Sequence, residues 1–172
     1  NEKKIQLRLK RLGDIVLGSL ILFFSLPIIL FFGLLIWMND RGPIFYCQIR
    51  EGLFGKPIKI IKLRTMKIDA EENGPQWSTK NDIRITIIGK LLRRMRIDEL
   101  PQIISVIKGD MSLIGPRPER PKIDTTLREH IPNYDLRYSI KPGISGWAQV
   151  NYPYGASIED AKLKLSYDLY YI

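Results

Sequence analysis

The apolar stretch Ile15–Met38 is the feature that most constrains the fold of this chain of 172 residues. Its 24 residues carry no charged side chain, and Pro27 stands at its midpoint. A helix that spans a membrane needs about 20 apolar residues to cross a hydrocarbon core of about 30 Å. Pro27 cannot donate an N–H to the carbonyl of Phe23, so we expect a kink or break there, with the Ser25 hydroxyl satisfying the freed backbone group. At about 1.5 Å per residue, each half then reaches about halfway across the bilayer.

Both flanks of this stretch are basic. Residues 1–14 carry five Lys or Arg against two acidic residues, and residues 39–67 carry seven against two. Positive charges beside membrane segments stay on the cytoplasmic side. A straight span would force one cluster across, whereas a re-entrant helix broken near Ser25–Pro27 leaves both inside. We therefore expect a re-entrant helix within residues 1–40 and a cytoplasm-facing domain over residues 41–172. A simple span is the main alternative, followed by a soluble core helix and a signal peptide.

The net charge of +9 belongs to the whole chain and narrows the classes of partner. Such a surface suits anionic lipid headgroups, phosphorylated substrates or nucleic acid, and a membrane anchor favours the first two. Cys47 is the single cysteine and His130 the single histidine, which excludes a disulfide framework and a Cys- or His-centred metal cluster. Because the chain begins with Asn1 and ends in an apolar stretch, we expect it to be part of a longer protein.

Hydrophobic periodicity predicts short strands and amphipathic helices after the anchor. Ile44–Arg50 and Lys56–Met66 alternate apolar and polar residues, which predicts two strands joined as a hairpin. Gly74–Pro75 predicts a turn in the polar segment that follows. Ile87–Ile97 predicts a helix with one apolar face and one basic face. Such a helix lies in a membrane interface or packs its apolar stripe on a protein core.

Two adjacent carboxylates, Asp98 and Glu99, follow this basic segment and open a second predicted helix, Leu100–Lys108, closed by Gly109. A helix N-terminus with arginines nearby attracts phosphate, and a carboxylate beside a bound phosphate can act as a nucleophile. Such chemistry needs a cation because carboxylate and diphosphate repel each other, and Mg²⁺ is the usual one. The structural alternative is an N-cap Asp98 followed by a first-turn Glu99.

Two later segments rich in Gly and Pro hold further candidates. Arg117, between Pro116 and Pro118, is held on a stiff loop that suits bidentate recognition of phosphate or carboxylate, or that pins a corner through a salt bridge. Trp147, within the segment 141–151, could stack on a ring, lie at the lipid interface or fill the core. The chain contains neither a phosphate-binding loop nor a dinucleotide fingerprint, which weighs against a P-loop ATPase and a Rossmann enzyme.

Taken in order, these segments resemble the bacterial sugar transferase family, the monotopic phosphoglycosyl transferases. The resemblance covers nearly the whole chain and runs through Lys10-Arg11-x2-Asp14, the proline-broken anchor, Lys62-Leu63-Arg64-Thr65-Met66, Asp98-Glu99, Gly115-Pro116-Arg117-Pro118 and Tyr167-Asp168-x2-Tyr171. It implies an α/β fold class: a compact mixed domain of helices and short sheets, with an N-terminal re-entrant membrane helix and interfacial amphipathic helices.

The resemblance also implies roles for particular residues. Asp98 corresponds to the family's nucleophile and Glu99 to its acidic neighbour, and a Mg²⁺ ion is expected at Asp98. The other positions associated with the family's active site, as substrate- or phosphate-binding residues, are Lys62, Arg93, Arg117, Pro118 and Asp168.

The family transfers a sugar-1-phosphate from a UDP-sugar to undecaprenyl phosphate and releases UMP. The resemblance implies that Asp98 attacks the phosphate next to the sugar, and that polyprenyl phosphate then attacks the phosphosugar-aspartyl intermediate, with Glu99 as base or positioning group. The segment 151–161 is similar to members that handle hexoses in exopolysaccharide or O-antigen assembly, so we favour UDP-glucose or UDP-galactose. The implied location is the bacterial inner membrane, with the catalytic domain facing the cytoplasm.

The expected partners are thus a UDP-sugar, undecaprenyl phosphate and the membrane, with a homodimer as the candidate oligomer and no nucleic acid. The alternative function is that of a non-enzymatic, membrane-anchored basic adaptor that binds anionic lipid and a partner protein. The adaptor predicts that changes at Asp98 and Glu99 are tolerated while membrane association is kept.

Overall fold

Helices and short sheets alternate along the chain, as predicted, in a computed structural model that describes residues 2–72, 82–153, 155 and 157–172. The helices are α1 Glu2–Asp40, α2 Ile87–Met95, α3 Ile103–Lys108, α4 Pro121–His130, α5 Trp147–Asn151 and α6 Ile158–Tyr171. The strands are β1 Phe45–Glu51, β2 Pro57–Leu63, β3 Ser112–Ile114 and β4 Gly143–Ser145. Among the described residues, 3₁₀ helices cover Leu53–Gly55, Ile97–Gln102 and Tyr134–Ser139. The predicted turn at Gly74–Pro75 lies outside the described residues.

Helix α1 runs through Pro27 without an interruption of its secondary structure. The helix is thus continuous at the position where we expect a kink or break, and a kink within it stays a prediction. A single proline removes one hydrogen bond, and the bonds on either side hold the remaining turns in helical conformation. The Ser25 hydroxyl donates to the carbonyl of Leu22 at 3.2 Å, not to the carbonyl of Phe23 that Pro27 leaves without its usual donor. The re-entrant path of this helix stays a prediction.

One face of α1 packs on the rest of the chain and the other is exposed. Ile29 and Ile36 belong to a buried cluster with Leu63 and Leu92, whereas Phe23, at 72% exposure, represents a long row of exposed apolar side chains. By length and composition, residues 4–40 could cross a membrane. A core helix of a soluble protein would bury such a row, so the exposed face is suited to lipid.

Both ends of α1 bind the domain through polar side chains. Near its start, Arg11 donates to the carbonyls of Val106 and Ile107, each at 2.6 Å, and so satisfies the open C-terminal end of α3. Asp14 accepts from the backbone N–H of Leu113 at 3.1 Å. At the other end, the guanidinium of Arg64 binds both carboxylate oxygens of Asp40.

Two small two-stranded sheets place polar side chains toward the domain interior. Strands β1 and β2 form the predicted antiparallel hairpin, in which Tyr46 pairs with Lys62 and Arg50 with Ile58, and residues directly opposite share a face. Strands β3 and β4 pair in parallel through Ser112–Gly143 and Ile114–Ser145. The second sheet fixes the start of the loop that carries Arg117.

Helix α2 confirms the predicted amphipathic helix and divides its apolar residues between two environments. Leu92 is fully buried against α1 and β2, and Ile88 packs beside it. Ile87, Leu91 and Met95, at i, i+4 and i+8, are instead exposed. The predicted core-facing side is therefore confirmed. The exposed apolar stripe is suited to a membrane interface, and that location stays a prediction.

The chain after α2 differs from the prediction in one respect. Arg96 adopts a left-handed conformation (φ 58°) and ends α2, and the next helical turn is a 3₁₀ helix, Ile97–Gln102. Asp98 lies inside this 3₁₀ helix, so the alternative in which it is the N-cap of the following helix is wrong. Helix α3 begins only at Ile103 and ends, as predicted, at Gly109 in the left-handed region (φ 98°).

Leucines 91 and 92 offer a matched test of this packing. Leu92→Ala should lower the free energy of unfolding by about 2–5 kcal/mol, because it leaves a cavity in the cluster that joins α1 to the domain. Leu91→Ala removes the same atoms from an exposed position and should change it by about 0.5 kcal/mol or less. Denaturant unfolding in detergent micelles, followed by circular dichroism, measures both. Equal losses would contradict the assigned packing.

Candidate active site

The turn between α2 and α3 brings the two adjacent carboxylates into the domain interior. The left-handed Arg96 redirects the chain, and the first turn of the 3₁₀ helix then buries both Asp98 and Glu99. Adjacent residues of a helical turn point in different directions, so the two carboxylates meet different neighbours. These neighbours give the two carboxylates different hydrogen bonds and opposite pKa shifts.

Glu99 is held by cations from two distant parts of the chain. Lys62 of β2 donates to its Oε1 at 2.8 Å, and Arg117 donates to Oε1 at 2.6 Å and to Oε2 at 3.4 Å. Burial by itself raises the pKa of Glu99, but Arg117 and Lys62 outweigh burial and hold that pKa well below its usual range. Glu99 is therefore a firmly ionised carboxylate and a weak base.

Asp98 has no comparable pair of hydrogen-bonded cations among the described residues. Its Oδ1 is buried and has no hydrogen-bond partner among the described residues. Burial raises the pKa of Asp98, and the charge of Glu99 adds to this, while Lys62 and Arg93 act in the opposite direction. A buried oxygen without a partner is costly unless something else binds it, so this atom is the natural contact point for a ligand or a cation.

The loop that carries Arg117 is fixed against β4 by close backbone approach. The N–H of Gly115 donates to Ser145 at 2.9 Å, and the N–H of Gly143 donates to the carbonyl of Pro116 at 2.9 Å. A side chain at Gly143 would collide with the backbone of Gly115, so the glycines are needed for this contact. The glycine-rich segment singled out in the sequence thus supports the loop of Arg117.

Three of the predicted substrate-binding positions, Lys62, Arg93 and Arg117, interact with the two carboxylates, and a fourth, Pro118, follows Arg117 in the chain. Lys62 and Arg117 bind Glu99 directly. Arg93 donates from Nε to the Thr65 hydroxyl at 2.8 Å, and its charge lowers the pKa of Asp98. Pro118 is buried in the Arg117 loop.

The fifth predicted position, Asp168, makes no direct contact with this group. Its Oδ2 accepts from Nε and Nη2 of Arg137, at 3.1 and 2.8 Å, in a buried ion pair. Arg137 also donates to the carbonyl of Arg117 at 2.8 Å, so Asp168 is connected to the site through Arg137.

Sequence reasoning missed Arg50 and Arg137. Arg50 donates to the carbonyl of Pro118 at 3.0 Å and forms an ion pair with Glu119 at 3.5 Å. The alternation of β1 places Tyr46, Gln48 and Arg50 on one face, and this polar face could have identified Arg50. Arg137 lies in a short 3₁₀ helix with no periodic signal, so only the tertiary structure could find it.

The donor set of the site fits a magnesium ion bound partly by substrate. The described residues hold no cluster of three or more Asp, Glu, His or Cys side chains that could form a cage for a metal. Asp98 Oδ1 nevertheless offers one buried, unpartnered carboxylate oxygen. Mg²⁺ is often held by one or two carboxylates plus substrate phosphates, with water completing its octahedron, so Asp98 is the residue that would hold it.

A charge-neutral replacement of Lys62 tests the electrostatics of the pair. Lys62 lowers the pKa of both Asp98 and Glu99, so Lys62→Met should raise both values and leave each carboxylate less ionised at a given acidic pH. The matched control is Lys59→Met on the same strand, whose side chain is exposed on the other face. Carboxyl ¹³C NMR titration measures the two pKa values. An unchanged Asp98 pKa in Lys62→Met would contradict the inferred effect of the Lys62 charge on Asp98.

Comparisons with known proteins give the family of this chain. The model of the family described as bacterial sugar transferase matches residues 5–172. Similar proteins include a UDP-N-acetylgalactosamine-undecaprenyl-phosphate N-acetylgalactosaminephosphotransferase of Aeromonas hydrophila, 41% identical over 95% of this chain and 39% of that protein. A UDP-glucose:undecaprenyl-phosphate glucose-1-phosphate transferase of Escherichia coli K12 is 42% identical over 95% of this chain and 36% of that protein.

A UDP-glucose:undecaprenyl-phosphate glucose-1-phosphate transferase of Caulobacter vibrioides is 39% identical over 95% of this chain and 62% of its own length. The chain thus spans between about a third and two thirds of the length of these three relatives. The match nevertheless extends from the membrane helix through the buried carboxylate pair to the end of α6. On this evidence of matched length and identity, the chain belongs to the bacterial sugar transferase family.

Proposed function

We propose that this chain transfers a sugar-1-phosphate from a UDP-sugar to undecaprenyl phosphate, with release of UMP. The observation that carries the proposal is the unequal environment of the two buried carboxylates: Glu99 accepts hydrogen bonds from two cations, and Asp98 keeps an oxygen without a partner among the described residues. The relatives named above act on UDP-sugars and undecaprenyl phosphate, which supports the same substrate classes here.

In the proposed first step, a carboxylate oxygen of Asp98 attacks the phosphorus next to the sugar. The bond from that phosphorus to the bridging oxygen breaks, UMP leaves with the bond's electron pair, and the phosphosugar stays on Asp98. In the second step, an oxygen of undecaprenyl phosphate attacks the same phosphorus and displaces the carboxylate. Splitting the transfer in this way replaces one difficult displacement by two easier ones.

The cations around Asp98 fit the negative charge of a diphosphate. Arg93 and Lys62 both lower the pKa of Asp98, which places them within electrostatic reach of the attacking oxygen. Arg117 and Lys62 keep Glu99 ionised, and a carboxylate with such a low pKa accepts a proton poorly. Of the two roles expected for Glu99, this favours positioning: it holds Arg117 and Lys62 beside the reacting phosphate.

We assign a Mg²⁺ ion to the same reaction, held by Asp98 together with substrate phosphates. Such an ion reduces the repulsion between the carboxylate and the diphosphate when both are bound. The residues of the chain then orient the phosphate, and burial of the site limits the access of water to the phosphosugar on Asp98.

The donor sugar in this proposal is a hexose, with UDP-glucose or UDP-galactose favoured, and the product starts the assembly of an exopolysaccharide or O-antigen type of glycan. The relatives act on UDP-glucose in one case and on UDP-N-acetylgalactosamine in another. Both donors therefore belong in any test of specificity.

A re-entrant membrane helix fits the way in which the domain contacts α1. Gly18 packs against α3, and Ile29 packs in the cluster of Leu92, so only residues 19–28 lie between two contacts with the same domain. Ten helical residues measure about 15 Å, about half of the hydrocarbon core. The domain cannot follow α1 across a bilayer, which supports both ends of α1 lying on one side of the membrane. The basic flanks of α1 favour the cytoplasmic face of the inner membrane for that side.

Release of UMP tests the reaction. The reconstituted protein should release about one UMP per molecule from its UDP-sugar and Mg²⁺ alone, and turn over only when undecaprenyl phosphate is added. Asp98→Asn should reduce UMP release at least about 10³-fold, because it removes the attacking oxygen's charge. The panel contains UDP-glucose, UDP-galactose and UDP-N-acetylgalactosamine, with UMP measured by chromatography. EDTA should abolish release, and excess Mg²⁺ should restore it.

The matched control is Asp110→Asn, which changes an exposed aspartate outside the site and should keep the parental rate. A donor labelled in the phosphate next to the sugar should label the parental protein and not Asp98→Asn. Turnover by Asp98→Asn, or UMP that forms only when both substrates are present, would exclude the covalent step. Membrane binding without UMP release from any donor would favour the adaptor.

Membrane topology can be tested by cysteine labelling in intact cells. After Cys47→Ser, single cysteines at Lys4→Cys and at Lys122→Cys, both exposed positions, should react with a membrane-impermeant maleimide only after permeabilisation. This result is expected because both ends of α1 bind the same domain. Labelling of Lys4→Cys from outside, with Lys122→Cys protected, would make α1 a simple span.

A further inference from the structure

The backbone of the Arg117 loop is held almost entirely through its carbonyl groups. Pro116 and Pro118 have no N–H, so this loop offers few donors of its own. Its three consecutive carbonyls each accept a hydrogen bond: Pro116 from the N–H of Gly143, Arg117 from Arg137 and Pro118 from Arg50. Two of the three donors are therefore guanidinium groups from elsewhere in the fold.

The contact from Arg137 is itself rigidly built. Arg137 is buried, and its three guanidinium nitrogens all donate: Nε and Nη2 to Asp168, Nη1 to the Tyr134 hydroxyl at 2.7 Å, and Nη2 also to the carbonyl of Arg117. Asp168, on α6, is buried as well. These bonds use four of the five N–H groups of Arg137, so the side chain acts mainly by fixing the backbone that it binds.

We infer that Arg137 and Asp168 are positioning residues, which hold the backbone of Arg117 so that its guanidinium meets Glu99 beside Asp98. This inference rests on the proposed function and replaces the expected role of Asp168 in binding phosphate. Asp168 orients Arg137, Arg137 fixes the carbonyl of Arg117, and the side chain of Arg117 reaches Glu99 at 2.6 Å.

The chemistry of the pair supports this division of roles. An ionised Asp168 facing a diphosphate would repel it, whereas the same carboxylate beside Arg137 is neutralised. A buried ion pair contributes little net stability compared with apolar residues of the same volume, so its value lies in fixed geometry. Here the geometry that it fixes is the backbone of Arg117.

Hydrogen exchange measures the positioning without any turnover. In the protein in nanodiscs, Arg137→Gln and Asp168→Asn should each speed the exchange of the amides of residues 113–115, 117 and 119 about tenfold, because the loop loses a charge-assisted hydrogen bond or its support. The hairpin β1–β2 serves as internal reference. The matched control is Tyr138→Phe, which removes a hydroxyl bound to Asp124 in the same buried cluster and leaves the loop contact intact.

A double-mutant cycle separates positioning from general stability. Arg137→Gln should slow UMP release about 10–100-fold in the parental protein, and less than about twofold when Arg117→Gln is already present, because both changes remove the same interaction. Tyr138→Phe should release UMP within about twofold of the parental rate, including where the change lowers the free energy of unfolding.

The outcomes keep the two proposals apart. Unchanged exchange at the amides of residues 113–115, 117 and 119 in Arg137→Gln and Asp168→Asn would overturn the positioning role. Rate losses in the double-mutant cycle that simply add would overturn it as well. A parental protein that releases no UMP from any donor would overturn the proposed function, while the exchange comparison still decides whether Arg137 and Asp168 hold the loop.

Discussion

The ion cluster of Glu99 with Lys62 and Arg117 is the interaction on which the rest of the site depends. A buried carboxylate is costly without partners, so the fold must bring two cations to Glu99 from segments that are 37 and 18 residues away in the chain. The hairpin supplies one and the proline-flanked loop the other. Because both cations bind Glu99, Asp98 is left as the carboxylate with an unpartnered oxygen. One residue thus holds the positive charges, and its neighbour stays available for chemistry.

The membrane helix takes part in the same arrangement. Strand β2, which carries Lys62, continues into Arg64, and Arg64 binds Asp40 at the end of α1. Strand β3, which leads into the loop of Arg117, is bound by Asp14 near the start of α1. The two segments that present cations to Glu99 are therefore each attached to one end of the helix. A change in the path of α1 would move both cations. The position of the helix and the geometry of the site are therefore structurally coupled.

Local features of the structure could be predicted from the sequence, whereas contacts between distant segments could not. Alternation predicted the β1–β2 hairpin and the 3.6-residue period predicted α2, because these patterns follow from neighbours in the chain. The N-cap alternative for Asp98 failed because the left-handed Arg96 starts a 3₁₀ helix, which no pattern of apolar residues reveals. The pairing of Arg137 with Asp168, 31 residues apart, depends on the docking of α6 and could be found only in three dimensions.

In the proposed reaction, the position of Asp98 next to α2 bears on how a soluble donor and a lipid acceptor meet. The exposed stripe of α2 ends at Met95, three residues before Asp98, and exposed basic side chains such as Lys90 and Arg94 flank it. A stripe of this kind inserts into the boundary between headgroups and acyl chains, where basic residues meet lipid phosphates. Asp98 would then lie close to the depth of the acceptor's phosphate, while the Glu99 cluster faces the protein interior. Under the proposed function, the acceptor phosphate then reaches the phosphosugar while its polyprenyl chain stays in the membrane.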